Sequence, residues 1–498
     1  MNAGPDVTDT AESHPGIDPE RMRLVLETLA ELRALPLDHP QAIELRRATT
    51  DVYREVKQRR RQERRAAKTD NDRVVTERTA TGAATRIDDE TQGLQLVSGA
   101  TGAVAGTLER PRSCYICKTR YVDVDAFYHQ LCQRCAAENR ARRDARVDLT
   151  GRRALLTGGR AKIGMYIALR LLRDGAHTTI TTRFPNDAVR RFTAMPDSHE
   201  WLHRLHVVGI DLRDPSQVIA LAEEVSAAGP LDILINNAAQ TVRRSANAYK
   251  ELIDAEEAPL PALPTSPASN GALPRVTMLG RFDMSRQPML PDQRGPRREK
   301  LSPQALTALA LTSGSATLAL IEAGTAIDAG GLVPDLDGSN SWSQKIQEVD
   351  PIELLEVQLC NVTAPFILIS RLRTAMAAST ARRKYVVNVS AMEGQFSRRY
   401  KGPGHPHTNM AKAALNMLTR TSAQEMLDQD RILMTAVDTG WITDERPHPD
   451  KIRLHDAGFH APLDLVDGAA RVYDPVVRGE AGEDLFGVFL KDYRPHPW

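Results

Sequence analysis

The sequence has few cysteines, no long apolar run and no excess of charge of either sign. Five cysteines in 498 residues do not make a disulfide framework. No run of 18 or more apolar residues occurs, and residues 1–19 lack a charged-then-apolar signal pattern, so we expect a soluble, cytoplasmic protein without a membrane partner. The 65 basic and 64 acidic side chains give a net charge of +1, which supplies no global field for nucleic acid.

Composition divides the chain into five segments. Residues 1–18, rich in Asp, Pro, Ser and Gly, are predicted to be disordered. Apolar residues at helical spacing predict a helical hairpin over 19–68, and residues 69–110 are predicted to be a linker with at most a short hairpin at 94–105. A four-cysteine zinc module over 111–147 and an α/β domain over 148–498 follow.

The far end of the second predicted helix is strongly basic. It carries five arginines, namely Arg59, Arg60, Arg61, Arg64 and Arg65. Such a stretch either contacts phosphate or an acidic partner, or is a solvated helix end, and we favour the second interpretation.

Four of the five cysteines form two Cys-x-x-Cys pairs. They are Cys114, Cys117, Cys132 and Cys135, with fourteen residues between the pairs. Four thiolates in this spacing suit tetrahedral Zn²⁺, and because they leave no coordination position for water, the metal is expected to be structural. A redox Cys-x-x-Cys motif is the competing interpretation. Replacing Cys132 is expected to destabilise the module and to leave dinucleotide affinity nearly unchanged.

Aromatic side chains lie between and beside the two cysteine pairs. They either pack the small module or present a binding face, and packing is the favoured role; they are Tyr115, Tyr121, Phe127, Tyr128 and His129.

Short apolar strands alternate with helices from residue 153 onward. Strands are predicted at 154–156, 177–182, 206–209 and 233–235, and a helix follows the first strand at 165–174. This alternation predicts an α/β fold with a Rossmann-type doubly wound parallel sheet. The glycines of residues 157–164 would let backbone amides approach a pyrophosphate at a helix N-terminus.

Several segments, in chain order, resemble the short-chain dehydrogenase/reductase (SDR) family. Residues 157–164 resemble its Thr-Gly-x3-Gly-x-Gly loop, Asp211 its adenine-contacting Asp, and residues 236–239 its Asn-Asn-Ala-Gly strand end. Residues 361–366, 386–394 and 412–415 are similar to the segments carrying the active-site Asn, Ser and Lys, and 439–443 to the segment over the nicotinamide. The resemblance covers about 148–240 and 350–498.

The resemblance implies a dinucleotide site. Its cofactor-binding residues are Thr157, Gly158, Gly159, Arg160, Lys162, Ile163, Gly164, Arg183, Asp211, Leu212, Asn237, Ala238, Lys412, Gly440, Ile442 and Thr443. Arg183 follows the second strand, where an acidic residue would hold the ribose hydroxyls, so we expect NADP(H) in preference to NAD(H).

The chain departs from the family pattern at positions that matter for chemistry. Lys162 replaces the middle glycine of the loop, and Ala239 replaces the last glycine of the fourth-strand motif. Ala391 stands where the family has its catalytic Ser, while Ser390 is one place early and should face the other side of the strand. Thr408 stands where the catalytic Tyr is expected, and its hydroxyl is too weak an acid to replace a phenol.

Other side chains could take over the acid/base role. His405, His407 and Tyr400 are candidates, in that order, because they are titratable and close to Lys412 in sequence. Lys412 and Asn361 keep their family positions, which implies that they hold the nicotinamide ribose and position a proton-relaying group.

An insertion over 241–345 separates the two halves of the resemblance. Its first part, 258–298, is Pro-rich and then basic and is predicted to be loop, and its second part, 302–324, is predicted to be helix. It could form a lid or a partner surface.

Three functions are compatible with these residues. The first is an NAD(P)(H)-dependent oxidoreductase that reduces a carbonyl or polarised double bond of a small-molecule substrate, with a non-standard proton donor. The alternative is an inactive dinucleotide-binding scaffold or sensor that binds a protein partner through the zinc module or the insertion. A nucleic-acid-binding protein is the third and least favoured possibility. The family resemblance also implies a homo-oligomer.

Overall fold

The computed structural model describes residues 16–86, 96–259, 274–280, 326–334, 338–398, 400–443 and 445–498, with isolated positions at 302–305, 320, 323 and 336. The disorder predicted for residues 1–15 lies outside the described residues, as does most of the insertion between 260 and 325. The chain divides into two compact units, residues 1–71 and 72–498.

Helices dominate the first unit. α1 (Pro19–Leu32) begins after Asp18, whose carboxylate accepts hydrogen bonds from the amides of Glu20 and Arg21. α2 (Pro40–Glu77) extends beyond the predicted end at residue 68, and the predicted basic arginines lie exposed along it. The predicted linker over 69–110 is therefore wrong at its start.

A small antiparallel hairpin opens the folded part of the second unit. β1 (Val104–Ser113) pairs with β2 (Arg120–Asp125), and α3 (Gln133–Arg143) follows. We call residues 104–147 the four-cysteine module. The predicted linker is wrong at its end too, because β1 begins within it and Arg86 is buried, donating to the carbonyl oxygens of Ala461 and Leu463 at 2.8 and 2.6 Å.

A large sheet forms the centre of the second unit. Its strands are β3 (Arg153–Leu156), β4 (His177–Thr182), β5 (Leu205–Gly209), β6 (Ile233–Asn236), β7 (Arg275–Met278), β8 (Lys384–Ser390), β9 (Ile432–Asp438), β10 (Phe489–Lys491) and β11 (Arg494–His496). Within the described ranges the order is β11-β10-β9-β8-β6-β3-β4-β5-β7, and only the β10–β11 pair is antiparallel.

Helices cover both faces of this sheet. They are α4 (Lys162–Arg173), α5 (Pro185–Thr193), α6 (Ser198–Trp201), α7 (Pro215–Ala227), α8 (Ala246–Glu257), α9 (Pro351–Gln358), α10 (Ala364–Ala377), α11 (Pro406–Asp430), α12 (His448–Asp456) and α13 (Leu465–Glu480). Ala154 and Leu156 pack in one buried cluster with α4 and α13, whereas Leu155 packs in another with α7, α10 and α11. Because successive strand residues face opposite sides, the predicted doubly wound parallel sheet is confirmed.

The described parts of the insertion join the same unit. α8 packs through Tyr249 and Leu252 against Phe184, and β7 extends the sheet beside β5. The prediction that 258–298 is entirely loop is thus wrong at Arg275–Met278, where pairing with β5 supplies the hydrogen bonds of an edge strand. Most of the helix predicted over 302–324 lies outside the described residues.

One helical stretch, Pro351–Ala377, is long and apolar enough to cross a membrane by length and composition. Its second half, α10, buries Leu368, Leu372 and Met376 in the cluster shared with α7. Such packing is typical of a core helix.

Candidate functional site

A cavity of about 400 Å³ lies at the carboxyl ends of β3, β4, β5 and β6. Parallel sheets bind ligands at this edge. Of the predicted cofactor-binding residues, its wall contains Gly158, Arg160, Lys162, Ile163, Gly164, Arg183, Asp211, Leu212, Asn237, Ala238 and Thr443. The predicted residues Thr157, Gly159, Gly440, Ile442 and Lys412 are not in this wall.

The turn between β3 and α4 depends on glycine. Gly158 has a φ of +70°, and a Cβ on Gly164 would lie 1.9 Å from the carbonyl oxygen of Gly158. Lys162, which replaces the middle glycine, nevertheless adopts a φ of +51°. A side chain in this left-handed conformation costs about 1–2 kcal/mol. The lysine therefore keeps the backbone shape of the glycine and adds a cation to the cavity wall.

Asn237 holds this turn against the end of β6. Its side-chain amide donates to the carbonyl oxygens of Thr157 and Gly158 at 3.0 and 3.1 Å. The hydroxyl oxygen of Thr157 accepts from the amides of Asn237 and Ala238, each at 3.0 Å. Thr157 and Asn237 thus shape the loop that lines the cavity.

A cluster of aromatic and cationic side chains lies beyond the end of β4. The guanidinium of Arg183 lies 5.3 Å from the ring centroid of Tyr249, whose own ring stacks on Phe184. Arg160 donates to Asp187 at 2.5 Å. Burial acts to raise the pKa of Asp187, but the charges of Arg191 and Arg160 outweigh it and lower that pKa to about 2. Asp187 therefore stays ionised, and its one negative charge is shared between Arg160 and Arg191, which donates to it at 2.6 Å.

Asp211 is bound by a neighbouring side chain. Both of its carboxylate oxygens accept hydrogen bonds from Arg213, at distances from 2.6 to 3.1 Å. Arg213 also donates to Glu356 at 2.7 Å, and Glu356 accepts from Gln240 at 2.9 Å. Burial acts to raise the pKa of Asp211, and the hydrogen bonds and charge of Arg213 lower it below its ordinary value. The family resemblance predicts that Asp211 contacts adenine. Its carboxylate would make that contact while it also accepts hydrogen bonds from Arg213.

Asn361 and Lys412 are buried beside the cavity. Asn361 lies in a π-helical turn (Leu359–Thr363) between α9 and α10, a distortion often found at functional sites. Its amide accepts from the backbone N–H of Gln240 at 2.7 Å and donates to the carbonyl oxygen of Gln240 at 3.1 Å. The ammonium of Lys412 donates to the carbonyl oxygen of Val389 at 2.8 Å, and burial lowers its pKa to about 8.

The structure accounts for the unusual residues at the Ser and Tyr positions. Ser390 donates to Asn416 at 2.6 Å and is buried against α11, so its hydroxyl is engaged there, while Ala391 has no hydroxyl to offer. Thr408 is buried and its hydroxyl has no hydrogen-bond partner. Of the residues at the predicted Ser and Tyr positions, Ala391 and Thr408, only Thr408 carries a hydroxyl, and it is buried.

The three candidate proton donors lie in different surroundings. His405 stacks on Trp342 with ring centroids 3.9 Å apart, and its Nδ1 is 2.8 Å from the carbonyl oxygen of Trp342. Tyr400 is 74% exposed, so it does not belong to a buried site. His407 is buried, and neither ring nitrogen has a hydrogen-bond partner. Its Nε2 is 3.9 Å from Oε1 of Glu353.

These surroundings change the order of the three candidates. His405 is engaged with Trp342 of the insertion, and Tyr400 is exposed to solvent. Both ring nitrogens of His407 are buried without a hydrogen-bond partner, and burial, with the charge of His405, lowers its pKa. None of the three candidates is in the wall of the cavity.

The four predicted metal ligands come together. The Sγ atoms of Cys114, Cys117, Cys132 and Cys135 all lie within 4.8 Å of one another, and those of Cys117 and Cys132 are 3.6 Å apart. Tetrahedral zinc with bonds of about 2.3 Å needs sulfur atoms about 3.8 Å apart. The cluster therefore fits a zinc ion.

Sequence reasoning missed several residues that line the cavity, namely Arg213, Arg243, Arg244, Tyr249, Asp328, Glu356 and Glu445. Tyr249 and Asp328 belong to the insertion, where no motif pointed to them. Arg213 had one signal, a cation two residues after the predicted Asp211.

A parallel sheet with a glycine turn ahead of α4 and a crevice at its carboxyl edge defines a Rossmann-type α/β protein. The short chain dehydrogenase family profile matches residues 152–256. An uncharacterized protein of Acanthamoeba polyphaga mimivirus, R665, is 30% identical over 379 residues, which cover 73% of this chain and 71% of that protein. The chain belongs to the short-chain dehydrogenase/reductase family, as a divergent member with a four-cysteine module.

Two further proteins are similar to parts of the chain. A probable oxidoreductase of Streptomyces lividans is 39% identical over 95 residues, and the match spans 18% of this chain and 30% of that protein. The crystal structure of an NADPH-bound carbonyl reductase from chicken fatty liver has a TM-score of 0.40 at 16% identity, covering 71% of this chain and 100% of that one.

Proposed function

We propose that this protein is an NADP(H)-dependent oxidoreductase that reduces a carbonyl or polarised double bond of a small molecule. The observation that carries the proposal is the cavity of about 400 Å³, whose wall combines the glycine turn with Arg160, Lys162 and Arg183. Backbone amides at a helix N-terminus and cations in one wall suit an anionic dinucleotide. When bound, NADPH supplies the hydride.

The phosphate preference rests on Arg183. Arg160 donates to the buried carboxylate of Asp187, which it shares with Arg191, whereas Arg183 lies over the ring of Tyr249 in the cavity wall. A guanidinium past the second strand of such a sheet favours a 2′-phosphate, and its planar fork matches the phosphate oxygens. We assign Arg183 to that phosphate, with Tyr249 as the surface that orients its guanidinium.

Substrate protonation is assigned to His407. Thr408 and Ala391 cannot act as acids, His405 is bound to Trp342 and Tyr400 is exposed. The lowered pKa of His407 makes its imidazolium a stronger acid than ordinary histidine and leaves the neutral ring as the base for the reverse reaction. Lys412 would hold the nicotinamide ribose, and Asn361 fixes the backbone at Gln240 beside it.

The cluster of four cysteines is proposed to hold one structural Zn²⁺. Four protein ligands leave no position for substrate, so the metal's role is to stabilise the module. The metal is therefore not expected to carry a water that donates protons to the substrate.

A dinucleotide-binding scaffold is the second candidate. The observation that favours it is that Lys412 and Asn361 are already engaged, with Val389 and Gln240, while both family hydroxyl groups are missing. A scaffold would bind the nucleotide without turning over any substrate.

Fluorescence titration of the purified protein with NADPH and NADH tests the proposal, followed by a panel of aldehydes, ketones and enones offered with NADPH. We expect tight NADPH binding, weak NADH binding and turnover of at least one compound. Equal affinity for the two nucleotides would show that Arg183 does not bind the 2′-phosphate. Tight NADPH binding without turnover of any compound would favour the scaffold.

A further inference from the structure

The first cysteine knuckle of the four-cysteine module contacts the segment that follows β9. Tyr115 lies between Cys114 and Cys117, and its hydroxyl oxygen accepts a hydrogen bond from the backbone N–H of Trp441 at 3.0 Å. The amide of Tyr115 donates to the carbonyl oxygen of Gln130 at 2.8 Å, which fixes the residue within the module. This contact links the knuckle to residues 440–443.

Residues 440–443 lead from β9 into the cavity wall. The amide of Gly440, which has a φ of +76°, donates to Oδ1 of Asp438 at 3.3 Å, so side chains hold the amides of two successive residues. Thr443 and Glu445 line the cavity, and the Thr443 hydroxyl donates to Glu445 at 3.1 Å. Glu445 in turn lies 3.7 Å from the ammonium of Lys162 in the glycine turn. The position of the Trp441 amide therefore influences one wall of the cavity.

We propose that Tyr115 is a positioning residue for the nucleotide site, through which the four-cysteine module fixes the segment 440–443. The inference rests on the proposed function, because that segment is assigned to the nicotinamide half of NADPH. The module is then part of the nucleotide site, and disturbing its first knuckle loosens the nicotinamide end of the cavity and leaves the adenosine end intact.

Tyr115→Phe removes the hydroxyl and keeps the ring, and Tyr121→Phe is the matched control. The Tyr121 hydroxyl donates to the carbonyl oxygen of His129 at 2.9 Å, a contact within the module. Titration with NADPH and with 2′,5′-ADP separates the two ends of the site. We expect Tyr115→Phe to weaken NADPH roughly 2- to 13-fold, the net worth of one hydrogen bond, and to leave 2′,5′-ADP unchanged. Tyr121→Phe should change neither affinity, and equal NADPH affinity in both variants would overturn the proposal.

Hydrogen exchange of the nucleotide-free protein provides a test that needs no ligand. In Tyr115→Phe the amides of residues 437–446 should exchange faster than in the unmodified protein and in Tyr121→Phe, at equal zinc content. Unchanged exchange in that segment would overturn the proposal whatever the protein binds. If the unmodified protein binds no NADPH while Tyr115→Phe speeds this exchange, the proposed function fails and the link between module and segment stands.

Discussion

The hydroxyl of Tyr128 donates a hydrogen bond to Oδ1 of Asp467 at 2.6 Å, and both side chains are buried. Tyr128 belongs to the four-cysteine module and Asp467 to the first turn of α13, which packs on the central sheet. Arg143 of the module donates to both carboxylate oxygens of Asp464, the N-cap of the same helix, at 2.6 and 2.8 Å. The module is therefore anchored to the sheet domain by buried charged contacts.

Removing the Tyr128 hydroxyl should weaken this anchor. In Tyr128→Phe the carboxylate of Asp467 stays buried and loses a donor, which costs about 1.5–3 kcal/mol of unfolding free energy. Urea denaturation of both proteins measures the loss. The control Tyr121→Phe removes a hydrogen bond to a neutral carbonyl group and should cost about 0.5–1.5 kcal/mol. Equal midpoints for Tyr128→Phe and the unmodified protein would show that the contact contributes nothing.

One zinc ion should copurify with each chain. Elemental analysis of protein purified without added metal is expected to find close to one equivalent, and a value near zero would refute the zinc assignment. Cys132→Ser should lower the zinc content and, because the module is anchored at α13, the stability of the sheet domain as well. The expectation, drawn from the sequence, that losing Cys132 leaves dinucleotide affinity nearly unchanged stays a prediction, and the role proposed for Tyr115 predicts weaker NADPH binding instead. Thermal unfolding followed by both far-UV and near-UV circular dichroism tests this coupling.

Arg183→Ala should weaken NADPH binding. Loss of one charge-assisted contact to the 2′-phosphate, worth about 1.5–3 kcal/mol, lowers affinity by about ten- to a hundredfold. NADH affinity should stay nearly constant, since NADH lacks that phosphate. Arg173→Ala is the control, because Arg173 lies in the last turn of α4, where it pairs with Asp197 at 2.6 Å. A similar loss in both variants would point to a general charge effect.

His407→Gln should lower turnover by about 10²- to 10⁴-fold and leave NADPH affinity unchanged, because glutamine cannot donate a proton in this way. Since burial lowers the pKa of His407, the unmodified enzyme should reduce its substrate faster as the pH falls, with an inflection below the ordinary value of 6.5. The variant should lose that inflection. His405→Ala disturbs the stacking on Trp342 and should keep the inflection. Loss of the inflection in His405→Ala but not in His407→Gln would assign proton donation to His405.

Asp438 gives a pH-dependent prediction for stability. Burial, together with the charge of Asp492 and against that of Lys491, raises the pKa of Asp438 from its ordinary value of 3.8 to about 6. The folded chain thus holds this proton more tightly than the unfolded chain, so stability falls as the pH rises from about 4 to about 6 and stays lower above. The cost at neutral pH is at most about 3 kcal/mol.

Asp438→Asn keeps the Oδ1 acceptor for Gly440 and cannot ionise. We expect it to raise the free energy of unfolding by up to about 3 kcal/mol at neutral pH and by little near pH 4. Denaturant unfolding at the two pH values measures the difference. Asp428 is exposed, so Asp428→Asn serves as the control and should change stability little at either pH. A gain of equal size at both pH values would argue against a buried ionised carboxylate.

The local sequence determined the sheet, the glycine turn and the cysteine pairs. Apolar strands of four to seven residues that alternate with helices leave few arrangements, and parallel pairing places all their carboxyl ends at one edge. Spacing alone was enough to predict that Cys114, Cys117, Cys132 and Cys135 would meet. Alanine at position 391 and threonine at position 408, where the family resemblance predicts Ser and Tyr, were also visible in the sequence, because these positions lie at fixed distances from Gly394 and Lys412.

The tertiary structure decided what surrounds these groups. Tyr249 and Asp328 reach the cavity from an insertion without motifs, and Tyr115 reaches Trp441 across more than three hundred residues of chain. His405 and His407 look equivalent in sequence, yet one stacks on Trp342 and the other is buried without a hydrogen-bond partner. Such differences depend on which side chains pack against each residue, and packing between distant segments leaves no periodic pattern in the sequence.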